Sequence, residues 1–357
     1  MSNIHEELPA TPSRLSAGAE ITGNLSAALA GDETAFSLLV EPHRREILTH
    51  CYRILGSLED AEDLVQETFL RAWRRLNTYE GRASFRSWLY KIATNACLDV
   101  IERRPKRFLP PALYPAAKPD ASLPAAIKEP IWLEPFPDEF LAPSDSSPEA
   151  RYKAHESITL SFLAALQSLP ARQRCVLILS DVLEWRASEI ADPLGISLSS
   201  VNSLLHRART TLGKNYPSHR HDFYKAALPD QHTKVLLDRY VHAWETADMD
   251  EFVSLLKEDA VFPMPPLPLW IHSRASIREF VLRTIMAGDA HGRWKLQPAR
   301  VNGQNGFAWY QYDITQKRYH AYAIQVVTIV DDLFSELVTF VQPGLFRFFE
   351  LPVELPV

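Results

Sequence analysis

Between residues 59 and 76, Ala61, Leu64, Val65, Thr68, Phe69, Ala72, Trp73 and Leu76 recur at the i, i+3, i+4, i+7 spacing of one buried helix stripe. Asp60, Asp63, Glu67, Arg71 and Arg74 fall on the opposite side. A second helix opens at Ser84, a good N-cap, and its pattern buries Phe85, Trp88, Leu89, Ile92, Ala93, Ala96 and Val100. The outward face of that helix, near 84–104, carries Lys91, Asn95, Asp99 and Arg103. Helices are predicted around 156–168 and from Ala171 to about Leu183. From Ser188 the pattern reads helix, a short turn holding Gly195, and a Ser-initiated helix, which is a helix-turn-helix layout. Its second helix buries Val201, Leu204, Leu205 and Ala208. It turns Ser199, Ser200, Asn202, Ser203, His206 and Arg207 outward.

From about residue 232 the period changes. Two helices (roughly 232–247 and 250–257), a short strand and a helix near 275–286 precede the β-rich runs Trp294–Val301, Gly306–Asp313, Tyr319–Val330 and Leu333–Phe340. Asn302-Gly303, Asn305-Gly306 and Asp331-Asp332 separate them as turns. The pattern therefore predicts a multi-domain chain: two all-α domains followed by an α+β domain with a curved antiparallel sheet.

Proline supplies the punctuation. Eleven prolines and no glycine lie between Pro105 and Pro148, which excludes a helix or central strand there. We read a flexible N-terminus over 1–31, helical domains over 32–108 and 151–216, a linker over 109–150, and the α+β domain over 232–350. A structureless loop of that length marks a domain boundary. The patch Ile131-Trp132-Leu133-Glu134-Pro135-Phe136 is too apolar for a purely solvated linker and is expected to dock on a neighbouring domain.

The net charge of −6 hides an asymmetry. Residues 151–229 hold ten Lys/Arg against six Asp/Glu, whereas 230–357 hold twelve against sixteen. Seven basic residues lie between Arg82 and Arg107, opposed only by Asp99 and Glu102, and an acidic cluster (Glu59, Asp60, Glu62, Asp63, Glu67) lies just upstream. Separated surfaces of this kind allow local DNA binding by an acidic chain. No run is apolar enough to span a membrane, and the N-terminus lacks a signal-peptide layout, so a cytoplasmic protein is expected. Cys51, Cys97 and Cys175 are far apart in sequence, without CxxC or nearby His spacing, and read as reduced, mostly buried thiols, with no metal site.

Two faces carry candidate chemistry. Small polar side chains with His206 and Arg207 suit entry into a major groove, Ser and Asn reading base edges and Arg holding phosphate or guanine. On the 84–104 helix, basic groups near Tyr79, Phe85, Trp88 and Tyr90 suit melted DNA, where phosphates need cations and bases stack. The spacing of Phe85 and Trp88 places them in the core, leaving Lys91, Asn95, Asp99, Arg103 and Arg104 for that role.

Asp60-Ala-Glu-Asp-Leu-Val-Gln-Glu-Thr-Phe-Leu-Arg-Ala-Trp73, followed by Phe85-Arg-Ser-Trp-Leu-Tyr-Lys-Ile-Ala-Thr-Asn-Ala-Cys-Leu-Asp99, closely resembles region two of the extracytoplasmic-function sigma factors of bacterial RNA polymerase. Leu169-Pro-Ala-Arg-Gln-Arg-Cys-Val-Leu-Ile-Leu179 and the helix-turn-helix through Arg209 resemble region four. The resemblance covers about 130 residues in two blocks, in the family's order. It implies that Asp60, Asp63, Gln66 and Glu67 grip the basic clamp helices of the β′ subunit within core polymerase (β′ and β subunits). It likewise implies that Lys91, Asn95, Asp99, Arg103 and Arg104 open and read the minus-ten promoter element. Ser199, Ser200, Asn202, Ser203, His206 and Arg207 are implied to read the minus-thirty-five element. The proline linker stands where larger family members carry region three, and in this class it threads towards the polymerase active-site channel.

Residues 232–350 resemble the SnoaL-like cone, through Asp259-Ala-Val-Phe-Pro-Met-Pro-Pro266 followed by Trp270 and a helix. Enzymes of that fold use an Asp or His in the cone as general base, and Asp313, His242, His272 and His320 are the candidates here. Fold alone does not imply catalysis, and no GxxxxGK[ST], GxGxxG or HExxH motif occurs. The reading is a promoter-specificity subunit without cofactor or catalysis of its own, not bound to membrane, whose cone takes a small-molecule or protein signal and regulates the chain in cis. Charge attraction between the acidic cone and the basic helix-turn-helix domain is the expected means. Two rivals are a stand-alone helix-turn-helix regulator and an isomerase or cyclase tethered to a DNA-binding module.

Overall fold

The computed structural model describes residues 14–101, 103, 106–127, 131–141, 157–215 and 231–357. The chain is helical from α1 (Arg14–Leu29), which packs on α2 (Glu33–Val40) and buries Ala28. A flexible segment was expected here. Small residues with adequate helix propensity form α1 without the wide apolar stripe that periodicity detects. Residues 1–13 lie outside the described residues.

The N-terminal domain continues with α3 (Arg44–Leu55), α4 (Leu58–Arg74) and α5 (Phe85–Ile101). Helix α4 starts because the Ser57 hydroxyl accepts the Asp60 amide at 3.1 Å. It buries Leu58, Ala61, Leu64, Val65, Thr68, Phe69 and Ala72, the stripe its periodicity predicts. Helix α3 stops at Gly56, whose φ of 72° favours glycine and where a Cβ would come within 2.6 Å of Leu133. The linker therefore lies directly on this corner.

The second helical domain comprises α6 (Leu160–Ser168), α7 (Ala171–Leu177), a π turn over Ile178–Val182, α8 (Ala187–Leu194) and α9 (Leu198–Asn215). Gly195, at φ 60°, makes the turn between α8 and α9. A small core of Val176, Leu179, Ile190, Val201 and Leu205 holds these helices together.

The third domain comprises α10 (Gln231–Glu245), α11 (Met249–Ser254), β1 (Leu256–Pro263), β2 (Trp270–His272), α12 (Arg274–Arg283), β3 (Trp294–Val301), β4 (Gln304–Asp313), β5 (Arg318–Val330), β6 (Leu333–Phe340) and β7 (Glu354–Leu355). The sheet runs β2-β1-β6-β5-β4-β3, with β7 beside β5. It is mixed, not wholly antiparallel. The chain builds β3 to β5 before β6 returns beside β1, and it arrives there parallel. One face, lined by Phe307, Trp309, Val327 and Leu337, packs on α10 to α12 as the cone interior. The other face, with Ala308, Tyr310, Ile324, Val326 and Val338, meets Phe346, Phe348 and Phe349 after β6 and joins the core shared with the helical domains.

Asn302 and Gly303, both at positive φ (55° and 70°), form the tight β3–β4 turn, and Asn302 is fully buried. Its Oδ1 accepts the Phe136 amide at 2.9 Å, while its Nδ2 donates to the Tyr52 hydroxyl at 2.9 Å and the Ile158 carbonyl at 2.8 Å. One side chain thus touches the N-terminal domain, the linker and the start of the second helical domain. The linker's Trp132, Leu133 and Phe136 are buried in this joint, and Phe136 packs on Tyr52 with ring centroids 4.5 Å apart. Further upstream the linker follows the cone: Ala117 donates to the Trp270 carbonyl at 2.9 Å, and Ile127 to that of Pro266 at 3.0 Å. The linker is stowed on its own chain.

Candidate nucleic-acid interface

The outward face of α9 is as the sequence implied. Ser199, Ser200, Asn202, Ser203, His206 and Arg207 are all exposed, opposite the buried Val201, Leu205 and Ala208. The Ser199 and Ser200 hydroxyls are tied to the Ser197 hydroxyl at 2.9 and 2.8 Å, which caps the helix. Asn202, Ser203, His206 and Arg207 project beyond that cap. The cone does not cover this face. Among the described residues its hydrogen bonds to this domain are at the far end: Asn302 to the Ile158 carbonyl, and the Gln304 side-chain carbonyl accepting the Leu160 amide. Occlusion of α9 by charge attraction is therefore corrected: the cone docks through a buried polar and aromatic joint, not through the net charges.

The α5 face is not free. Lys91 pairs with Asp192 of α8 at 3.1 Å, and Asn95 donates to the Pro193 carbonyl at 3.2 Å. Asp99 pairs with Arg71 of α4 at 3.0 Å. Arg103 is exposed, and Arg104 lies outside the described residues. Between α5 and α8 a cleft of about 830 Å³ remains, lined among others by Arg71, Tyr79, Trp88, Asn95 and Trp185. Phe85 is core, as its spacing predicts, but Trp88 lines the cleft. The C-terminal end of α8 supplies the acidic group and the carbonyl that satisfy this face, a contact about a hundred residues away in sequence.

The acidic residues of α4 are split. Asp63 and Gln66 are exposed, and Glu67 bonds Arg71 one turn on at 2.6 Å. Asp60, read as part of an exposed acidic face, turns inward instead. It pairs with Arg107 at 2.6 Å, with 12% and 7% of the side chains exposed. The cause is the linker: Glu134 also meets Arg107 (3.2 Å) and accepts the Ser57 hydroxyl and the Leu58 amide at 3.0 and 2.9 Å. A second carboxylate therefore caps α4 from outside its own domain. Burial raises the Glu134 carboxyl above the ordinary range, and Arg107 opposes that rise. Glu59 is held by Arg347 of the cone at 3.0 Å.

Sequence reasoning missed Tyr52, Arg107, Glu134 and Asn302. Asn302-Gly303 was legible as a turn, but nothing local says that a turn will be driven into another domain.

The general-base candidates do not converge. His242 and His272 are exposed, Asp313 accepts the Thr315 and Gln316 amides of its own hairpin, and His320 lies beside Glu354 of β7. The cone interior holds Tyr240, Trp244, Phe252, Phe307 and Trp309, with Trp244 and Trp309 centroids 4.5 Å apart. The Gln325 amide there is satisfied by Tyr240 (2.8 Å), Trp309 (3.3 Å) and Thr339 (2.8 Å). Nothing in this arrangement places a titratable base against a substrate space.

Comparison with known proteins follows the same division. Residues 39–107 match sigma-70 region 2, residues 159–212 match sigma-70 region 4, and residues 237–337 match a SnoaL-like domain. The chain is 41% identical over 324 residues to the ECF RNA polymerase sigma factor SigG of Mycobacterium tuberculosis, covering 90% of this chain and 85% of that one. It is 30% identical over 184 residues to SigW of Bacillus subtilis, over 52% of this chain and 90% of that protein. Among solved structures, the extracytoplasmic-function sigma factor SigJ of Mycobacterium tuberculosis shares the fold. Its TM-score is 0.54 at 22% identity, over 87% of this chain and 97% of that one.

Proposed function

This chain belongs to the extracytoplasmic-function sigma factors, which direct transcription initiation by bacterial RNA polymerase, and we propose that its free form is held shut by its own cone. Region two is the N-terminal domain and region four the helix-turn-helix domain. In the open form Asp63, Gln66 and Glu67 of α4 grip core polymerase. The α5 face with Lys91, Asn95, Asp99, Arg103 and Arg104 takes the minus-ten element, and α9 reads the minus-thirty-five element. Polymerase performs the chemistry, in the cytoplasm, and this chain supplies the promoter choice.

One observation carries the closed form: Lys91 and Asn95 are already occupied by Asp192 and Pro193 of region four. That contact is itself weak. An exposed ion pair contributes about 0–1 kcal/mol, so it blocks the minus-ten face without being able to hold itself in place. The holding is done elsewhere, by the buried joint around Asn302, Glu134 and Phe136 together with the buried contact of Arg174 and its neighbours on the Ile54 carbonyl of α3. A region-two face shut by region four, and a joint that includes the cone, together make the cone the regulator in cis. A small molecule or protein that binds the cone in its released position alone shifts the population towards polymerase binding.

Ending the chain after Asn215 tests this reading. The shortened protein is expected to bind a labelled promoter fragment at least ten-fold more tightly than the full chain in the absence of core. Equal affinities, with equal transcription in a reconstituted assay, would rule out regulation by the cone.

The recognition face has its own test. Arg207→Ala is expected to weaken binding of every duplex and to lower the slope of log affinity against log salt by about one, as for a lost phosphate contact. Asn202→Ala should instead change which base is preferred, with the slope kept. If both variants left promoter choice and salt slope untouched, α9 would not be the reading face.

A further inference from the structure

All three cysteines of the chain meet at one seam. Cys51 lies on α3 and Cys97 on α5, both in region two, whereas Cys175 lies on α7 of region four, and each is fully buried. The Cys51 and Cys97 thiols lie within electrostatic reach of one another, and Cys175 within reach of both. Helix α7 and the π turn that follows it are two-faced. Val176 and Leu179 enter region four's own core, while Cys175 and Ile178 belong to the core shared with α3 and α5. The neighbouring Arg174 donates to the Ile54 carbonyl of α3 at 2.5 Å, fixing α7 against region two. Cys175 is therefore buried by the apposition of two domains, not by its own domain.

We propose that Cys175, with Cys51 and Cys97 opposite, is a modification site for small electrophiles, shut in the closed form, whose adduct keeps regions two and four apart. This rests on the closed-form reading above. While the seam is shut, burial pushes the Cys175 thiol up to about 12, and only a thiolate is an effective nucleophile. Opening returns water to the thiol and removes that penalty. The sulfur then adds to the β-carbon of an α,β-unsaturated carbonyl: an S–C bond forms, the C=C π pair moves into an enolate, and the enolate carbon takes up a proton in place of the one the thiol released. No oxidant is required. A seam of closely packed, fully buried side chains has no room for the added atoms, so the domains cannot close again.

N-ethylmaleimide is the probe, applied to the full-length wild type and to Asn302→Ala, with the labelled positions mapped by peptide mass. Cys175 is expected to label at least ten-fold faster in Asn302→Ala than in the wild type. Wild type carrying the adduct is expected to bind a promoter fragment at least ten-fold more tightly than mock-treated protein, and to stay so after the reagent is removed. Cys175→Ala, treated in the same way, should show no such gain. Thermal unfolding must show that Asn302→Ala is still folded when it labels; a Cys175→Ala protein that misfolds leaves that labelling comparison intact. The proposal is overturned if Cys175 stays unlabelled in an Asn302→Ala protein whose solution radius has grown, or if the adduct leaves promoter affinity unchanged. Should Asn302→Ala neither expand nor gain affinity, the closed-form reading fails first and this site falls with it.

Discussion

Asn302→Ala is expected to raise promoter-fragment affinity of the free protein by roughly thirty-fold or more. Removing the amide strands the Phe136 N–H and the Ile158 carbonyl inside a dry joint. Each stranded buried group costs about 1–3 kcal/mol. Two of them lower the closed form by about 2–6 kcal/mol, and each 1.4 kcal/mol is a factor of ten in the equilibrium. Tyr52 loses least, since its hydroxyl still donates to the Glu134 carbonyl at 2.6 Å. Asn302→Gly is the control for backbone strain, because glycine accepts the φ of 55° more readily than any other residue. If the glycine variant opens as the alanine variant does, the amide is responsible. Fluorescence anisotropy with a labelled duplex reads the affinity, and thermal unfolding shows whether the cone survives. A folded Asn302→Ala that binds like wild type would overturn the closed-form reading.

Phe136→Ala is expected to act on the same equilibrium through packing. Its ring is wholly buried against Tyr52 and, at 6.1 Å between centroids, Phe140. Deleting a buried phenylalanine costs about 3–5 kcal/mol in transfer and cavity terms. Phe136 belongs to the linker and to neither flanking domain, so the loss falls on closure while both domains keep their own cores. Hydrogen exchange at the Asn302 amide, which donates to the Phe136 carbonyl at 2.8 Å, is expected to rise about a hundred-fold or more. The increase should be alike at low and high salt, because a hydrophobic contact is not screened; a strongly salt-dependent opening would return the joint to the electrostatic clamp that the net charges suggested. Combined with Asn302→Ala the effects should add to less than their sum, since the two residues share a hydrogen bond.

The elements of the fold were legible wherever one period governed a segment. The α4 stripe is buried except at Trp73, which is half-buried, β3 and β6 keep their expected limits, and the Asn302-Gly303 and Asp331-Asp332 turns take the positive φ their residue types favour. The outward face of α9 was legible for the same reason: a helix whose buried side is known has its exposed side fixed. Contacts between domains were not legible. Asp60 looked like its neighbour Asp63, and only Arg107, 47 residues on, distinguishes them. Lys91 and Asn95 lie on an outward helix face by spacing, yet what lies outward is another domain. Summed charge also misled, because the joint is built from one amide, one helix-capping carboxylate and packed aromatic rings, and domain totals are blind to such pairings. The apolar linker patch was the exception, since burial of Trp132 and Phe136 follows from hydrophobicity alone.

The stowed linker has a consequence for handling and storage of the protein in the cell. Strand β2 is the margin of the sheet, and the linker borrows its outer side through the hydrogen bond from Ala117 to the Trp270 carbonyl, with the Trp270 indole donating to Tyr114 at 2.8 Å. Any partner that draws the linker away leaves a bare strand margin flanked by apolar surface, the feature through which β proteins self-associate. The shut form is then also the soluble reserve, and an activated molecule that fails to find polymerase is the one at risk of aggregation or proteolysis. Open variants are expected to need lower concentrations and a bound partner to remain monomeric, and their turnover in the cell to be faster than that of the shut protein.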